Sequence, residues 1–453
     1  MDSTNPATGE VLASYPEHTP DEVTAALDGA AAAFKIWRRV PVEERAALTG
    51  RLADVLEARS EEWSRLMTLE TGKPIAASRA EIAKCAVLCR YYADEGAGML
   101  ADRHIDTDQK KSYVHHEPLG VVLAVMPWNF PFWQVFRFAA PGLTAGNVGV
   151  LKHASNVSGC ALAIEEAFGD AGYPTGVFQT LLVPGSRVGE MLEHPAVVAA
   201  TLTGSEPAGR DLAAKAGSLL MKTVLELGGS DPYLVLADAD VDAAAATCAA
   251  SRMINAGQSC IAAKRFIVHE AVYEEWLEKF VSAMGRVRMG DPLDDETGLG
   301  PLARVDLRDD LHRQVEASVE AGATLVLGGT IPDMPGAFYP PTVLTGVKPG
   351  MPAYQEELFG PVAVVLKVSS EEAAIAIANN TPFGLGAAVF TGNLERGERI
   401  AAEHLEAGVC FVNALVASDP RLPFGGIKSS GYGRELSDLG IKEFVNQKTV
   451  VVA

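Results

Sequence analysis

No apolar stretch of the 453-residue chain reaches the ~18 residues that a helix needs to cross a bilayer, so no membrane span is expected. Basic residues are scarce: 38 Lys and Arg stand against 58 Asp and Glu, a formal net charge of −20. Such a surface repels phosphate backbones, which excludes nucleic acid as a partner. Cysteine is thin as well, with six residues scattered at 85, 89, 160, 248, 260 and 410. That spread in a chain of this size is no disulfide framework. Cys85 and Cys89 lie four apart in an expected helix, but no histidines accompany them at zinc spacing, and no metal centre is expected. The opening "MDSTNPATGEVLASYPEHTPDEV" lacks the basic and apolar regions of a secretory signal, so a cytoplasmic location is expected. No solenoid repeat and no low-complexity linker interrupts the chain.

What is present describes a globular α/β protein. Apolar residues make up 48% and charged residues 21%, and the length calls for two or three domains. Thr19-Pro20-Asp21-Glu22 reads as a helix start, with an N-cap, a proline at the first helical position and acids in the first turn. Leu48, Leu52, Val55, Leu56, Trp63, Leu66 and Met67 recur at helical spacing, and a further helix is expected from about 75 to 98. Beyond residue 118 short apolar runs alternate with helices: "GVVLAVMP", "NVGVLKH", "VFQTLLV", "VVAATLTG" and "MKTVLELGG". A second series follows Asp231, with "YLVLA", "KRFIVH", "TLVLGG", "VAVVLKV", "AAVFTG" and "VCFVN". Alternation of this kind predicts two doubly wound parallel sheets, divided near Gly228-Gly229.

Ligands are expected beyond the C-terminal ends of such strands. "VMPWNFPFW" leaves a strand there, and Pro127 and Pro131 stiffen the loop around Asn129. An amide so held can donate to a developing oxyanion, or it can simply satisfy the turn. Glu226 in "LELGGSDP" ends a strand between two leucines, where apolar surroundings raise a carboxyl toward the range of a general base. A helix cap or a basic partner would explain it equally well. Gly204 and Gly209 in "TGSEPAG" suit a pyrophosphate at a helix N-terminus, but the Lys-Ser/Thr of a P-loop is missing. Cys260 in "MINAGQSCIAAKRF" reads, by itself, more readily as a packed thiol than as a nucleophile.

Taken together, "PWNFP", "LKHAS", "TGSEPAG", "LELGGS", "GQSCIA", "EELFGP" and "PFGGIKSSGYGRE" resemble the aldehyde dehydrogenases in order and spacing across nearly the whole chain. The resemblance implies Cys260 as nucleophile, Glu226 as general base and Asn129 as oxyanion donor. It implies cofactor contacts from Trp128, Lys152, Ser155, Gly204, Ser205, Leu227, Glu357 and Phe359. Lys152 would meet the adenosine ribose, Ser205 the pyrophosphate, and Glu357 with Phe359 the nicotinamide ribose. It also implies a dinucleotide-binding domain of residues 1–102 and 118–228 and a catalytic domain of 229–420. Strands within 103–117 and 437–453 would form a small β element for a homodimer or homotetramer, and an apolar terminal strand is costly to leave as an open edge.

Many NAD-preferring members carry Glu three residues after the ribose-binding lysine, where this chain has Ser155. A hydroxyl there tolerates a 2′-phosphate that a carboxylate would repel, so NADP is expected, with NAD as the alternative. Arg137, six residues after Pro131, resembles the succinate-semialdehyde dehydrogenases, and with Ser418 it is expected to hold the distal carboxylate of a short semialdehyde. A structural ion pair is the competing role for Arg137. The competing functions are oxidation of glutaric semialdehyde or of a broad range of aldehydes, and a non-catalytic scaffold. Ala262 stands where some relatives carry a second, redox-active cysteine.

Overall fold

The computed structural model describes residues 1–453. The chain opens with a small hairpin and then four helices, Pro20–Trp37, Val42–Ala58, Ser60–Thr71 and Ile75–Met99. The expected start of the first helix is a capping box: Glu22 N–H donates to the Thr19 hydroxyl, and the Glu22 carboxylate accepts from Thr19 N–H. The third helix stops at Gly72, whose φ of +76° is the left-handed conformation that glycine adopts without penalty.

The two expected parallel sheets are there. The first orders its strands Gly431–Tyr432, Lys222–Glu226, Val197–Thr203, Val121–Met126, Val148–His153 and Phe178–Thr180. The second orders Thr324–Leu327, Thr342–Thr345, Val362–Val368, Arg265–His269, Pro232–Val235, Gly386–Phe390 and Val409–Val412. Each is parallel apart from one edge strand, Gly431–Tyr432 in the first and Thr324–Leu327 in the second. The central strands are buried on both faces, which is why they read as unbroken apolar runs.

Each sheet has its own apolar core, and the chain passes from one to the other between Leu227 and Tyr233. It also comes back. Phe424, Leu436, Ile441 and Phe444 pack into the first core, after about two hundred residues spent in the second. Ile261 and Val409 touch both cores, so the residue next to Cys260 sits on the seam between them. The third element is a sheet of Arg103–His104, Lys111–Pro118 and Val445–Val452, with Val445 opposite Pro118 and Val452 opposite Lys111. The C-terminal segment is thus not strand throughout: Ser437–Lys442 is a helix, docked on the first core through Ile441. No helix is long and apolar enough to cross a membrane.

Candidate active site

Cys260 lies in the loop that enters the strand Arg265–His269. The helix Val241–Met253 ends just before it, and Asn255, Ala256 and Gly257 follow with φ of 50°, 54° and 73°. Left-handed backbone costs a non-glycine residue roughly 1–2 kcal/mol, so the surroundings must hold this turn in place. They do so with polar contacts. Arg252 donates to the Gly257 carbonyl at 2.5 Å, Gln258 accepts from Ala303 N–H at 2.9 Å, and a Cβ at Gly257 would overlap the Gly360 carbonyl. Lys264 Nζ donates to the carbonyls of Ser259 and Cys260 at 3.0 and 2.8 Å.

The same loop is bonded to the Asn129 loop. Asn129 Nδ2 donates one hydrogen to the Gln258 carbonyl at 3.0 Å, and Asn255 Nδ2 donates to the Asn129 carbonyl at 2.7 Å. The second Nδ2 hydrogen of Asn129 is uncommitted, and the Cys260 N–H has no acceptor in the protein. Two donors therefore stand free on these two bonded loops, the pair that an oxyanion would require. Behind Asn129 the fully buried helix Pro131–Thr144 has no N-cap side chain of its own. Glu81 from another helix accepts from both Phe132 and Trp133 N–H at 3.0 Å, and it pairs with Lys73, whose ammonium lies 3.9 Å from the Phe130 ring centre. A carboxylate at a helix N-terminus is stabilised there by the helix dipole.

Half-buried Cys260 faces a cavity of about 260 Å³. Its walls are mostly apolar, but they also carry Lys73, Glu81, Lys84, Arg137 and Ser418. Burial pushes the Cys260 thiol up to about 12, with the charges of Arg137 and Lys264 pulling the other way. The resting group is thus a thiol, and its proton must leave as it attacks.

Glu226 ends its strand as expected, with 3% of its surface exposed, and neither carboxylate oxygen has a hydrogen-bond partner. Burial, and then repulsion from Glu435, raise its carboxyl far above the usual range, against the pull of Arg137 and Arg434. A Cβ at Gly425 would come within 2.9 Å of Glu226 Oε1, so that glycine leaves the carboxyl its space. Glu226 and Asn129 are not part of the cavity wall that Cys260, Arg137 and Ser418 share.

Arg137 is doubly occupied. Its guanidinium lies on the cavity wall, yet Nε sits 2.8 Å from Glu435 Oε2, short of hydrogen-bond alignment, and the group stacks 4.8 Å from the Phe424 ring centre. Ser418 accepts a hydrogen bond from Lys84 Nζ at 2.8 Å.

Residues expected around a dinucleotide gather at the C-terminal ends of the first sheet. Trp128, Ser155 and Ser205 follow the adjacent strands that end at Met126, His153 and Thr203, and Lys152 is the penultimate residue of the second of these, where the strand order reverses. Trp128 meets Phe359 edge to face at 5.8 Å. Lys152 is buried without a carboxylate partner, and that burial holds its ammonium below its ordinary value. Ser205 stands at the N-cap of the helix Glu206–Ser218 but makes no cap bond, leaving its hydroxyl and the helix end for an anion. Leu227 packs directly on Gly209, and Gly204 N–H is taken by the Glu226 carbonyl at 3.0 Å. Glu357 accepts from Gly229 N–H at 3.1 Å and lies 3.2 Å from Lys264 Nζ, so it is bound to the turn beside Glu226. An unpaired lysine, free serine hydroxyls and an open helix N-terminus fit a dinucleotide diphosphate.

The family model described as Aldehyde dehydrogenase family matches residues 1–450. The chain belongs to that family. A probable succinate-semialdehyde dehydrogenase [NADP(+)] of Synechocystis is 52% identical over 449 residues, 99% of each chain. Succinate-semialdehyde dehydrogenase [NADP(+)] 1 of Mycobacterium bovis is 50% identical over 452 residues, again 99% of each. The crystal structure of the Streptococcus pyogenes succinic semialdehyde dehydrogenase in complex with NADP+ superposes with a TM-score of 0.97 at 39% identity, covering 100% of this chain and 99% of that one.

Within this aldehyde dehydrogenase, four residues of the site escaped the sequence: Lys264, Glu435, Glu81 and Lys84. Glu435, Glu81 and Lys84 act across long separations in the chain, where no spacing rule reaches, whereas Lys264 bonds the Cys260 carbonyl from only four residues on. Lys84 had a faint signal, because Ala77, Ala80, Glu81 and Lys84 recur at helical spacing and share the face that lines the cavity.

Proposed function

We propose that this chain oxidises succinic semialdehyde to succinate with NADP. The observation that carries the proposal is one cavity holding Cys260 together with the cations Arg137 and Lys84 and the hydroxyl of Ser418, within walls that are otherwise mostly apolar. The names and cofactor of the relatives support it.

The Cys260 thiol loses its proton to solvent water as Sγ attacks the aldehyde carbon, and the new oxyanion accepts hydrogen bonds from Cys260 N–H and Asn129 Nδ2. A bound nicotinamide supplies the acceptor for the hydride that leaves that carbon. The thioester then remains on Cys260, and Glu226 in its ionised form takes a proton from the water that adds to it, releasing the acid and returning Cys260 Sγ. Lys152, Ser155, Ser205 and Trp128 would hold the dinucleotide, and Phe359 and Glu357 would close on its nicotinamide end. Six free thiols suit a reducing, cytoplasmic compartment. Exposed Val451 and Val452 on the terminal strand support a homo-oligomer built through that edge.

The test is a matrix of NADP and NAD against succinic semialdehyde, glutaric semialdehyde and butanal, read at 340 nm. The highest kcat/KM is expected for NADP with succinic semialdehyde. Equal values for butanal would overturn the carboxylate reading, and near-exclusive use of NAD would overturn the cofactor reading. Ser155 provides a second check. The Ser155→Glu variant sets a carboxylate against the 2′-phosphate, and its NADP-to-NAD ratio of kcat/KM should drop roughly 10- to 100-fold. An unchanged ratio would place the 2′-phosphate elsewhere.

A further inference from the structure

We propose that Lys84 receives the distal carboxylate of the substrate and so sets the enzyme's preference for ω-carboxylate aldehydes. This rests on the semialdehyde reading and names the residue that executes it.

The argument begins with the charges around the cavity. Three cations line it, Lys73, Lys84 and Arg137, and Glu81 is the only carboxylate on its wall. Lys73 is paired to Glu81, which is itself committed to the helix N-terminus at Phe132 and Trp133. Arg137 is paired to Glu435 behind the wall. Both of those charges are already balanced by buried partners, and withdrawing either partner would strand a charge in the protein interior. Lys84 alone has no carboxylate within ion-pair distance; its Nζ donates to a neutral hydroxyl, Ser418 Oγ, at 2.8 Å. The uncompensated positive charge of the cavity therefore resides on Lys84.

Geometry prepares it for an anion. The ammonium stands 4.3 Å from the Trp133 ring centre, which steadies the long side chain without neutralising it. Because Ser418 accepts from Lys84, its own hydroxyl hydrogen is free to donate. Lys84 Nζ keeps two further hydrogens, so a carboxylate placed here would meet a hydroxyl donor and a charged donor side by side. Burial, and then the like charge of Arg137, bring the Lys84 ammonium down to about 8. A bound carboxylate would relieve that strain. Ala77 and Ala80, on the same face of the helix, leave room over the stem.

The experiment compares kcat/KM for succinic semialdehyde with kcat/KM for butanal in the wild type, Lys84→Met and Lys84→Arg. Losing a charged hydrogen bond should lower that ratio about 10- to 100-fold in Lys84→Met, chiefly through KM for the semialdehyde. Lys84→Arg, which keeps the charge, should return most of the ratio. A ratio in Lys84→Met within about twofold of the wild type overturns the proposal, even if both substrates are slowed, since equal slowing is what a merely structural lysine would give. A lowered ratio that Lys84→Arg leaves uncorrected also overturns it. If the wild type itself shows no preference for the semialdehyde, the semialdehyde reading fails, and that result is distinct from either variant's.

Discussion

Replacing Cys260 by alanine is expected to abolish turnover, by at least about 10⁴-fold in kcat, while leaving the fold intact. The loss follows from chemistry that no neighbour can take over. The other five cysteines lie elsewhere, and the thiols at 85, 89, 160 and 248 are fully buried, with burial raising each of them. The fold should survive because the Cys260 loop is held by Arg252, Gln258, Asn255 and Lys264 through backbone carbonyls and an Ala303 N–H, and none of these bonds uses the sulfur. Removing one half-buried sulfur should cost within the ordinary range of about 0.5–3 kcal/mol for a point substitution. A thermal melt and the 340 nm assay together check this. Residual activity above one part in a hundred, with an unchanged melt, would mean that another group forms the covalent bond. The wild-type acylation rate should also climb with pH through the neutral range, because a thiol near 12 is almost wholly protonated there and each pH unit multiplies the thiolate.

Glu226→Gln should separate the two halves of the reaction. Acylation needs Cys260 and the oxyanion donors, so reduced cofactor should appear once per active site and then nearly stop. Steady-state turnover should decline about 10²- to 10⁴-fold, the usual contribution of a positioned base. A steady state unslowed after the first turnover would remove Glu226 from deacylation. The same substitution carries a stability signature of opposite sign. Burial and Glu435 raise the Glu226 carboxyl in the folded protein, so the unfolded chain releases that proton first. Wild-type stability therefore falls as pH rises from the unfolded value, about 4.3, toward the raised folded one. Gln cannot ionise, and the melting temperature of the variant should gain on the wild type across that window. A gap that narrows with rising pH would contradict the burial argument.

The positions of the cofactor residues and of the nucleophile were legible to different degrees. Trp128, Lys152 and Ser205 stand at or just past the C-terminal ends of strands whose apolar runs are plain in the sequence, and ligands gather at such ends. Cys260 breaks that rule, since it precedes its strand instead of following it. Spacing alone ranked it as a packed thiol; only the resemblance of the surrounding motif singled it out. The strand Gly431–Tyr432 shows the other kind of limit. Two residues carry no periodicity, and what places them beside Lys222–Glu226 is the return of Phe424 and Leu436 to the first core.

By itself the sequence determined the parallel α/β class, the division near Gly228-Gly229 and the identity of Cys260, Glu226 and Asn129 as candidates. Those features depend on local patterns: apolar runs, turn residues and short motifs, each complete within about ten residues. Which charges cancel was decided only by the tertiary structure. Arg137 and Glu435 lie almost three hundred positions apart, and Lys84 and Ser418 are further still. Sequence reasoning expected Arg137 with Ser418 to hold the substrate's carboxylate and left a structural ion pair as the competing role, because the arginine is visible in the sequence and its partner is not. Folding sets Glu435 against Arg137 and leaves Lys84 unpaired. An ion pair depends on distance and burial in space, which a linear pattern does not encode.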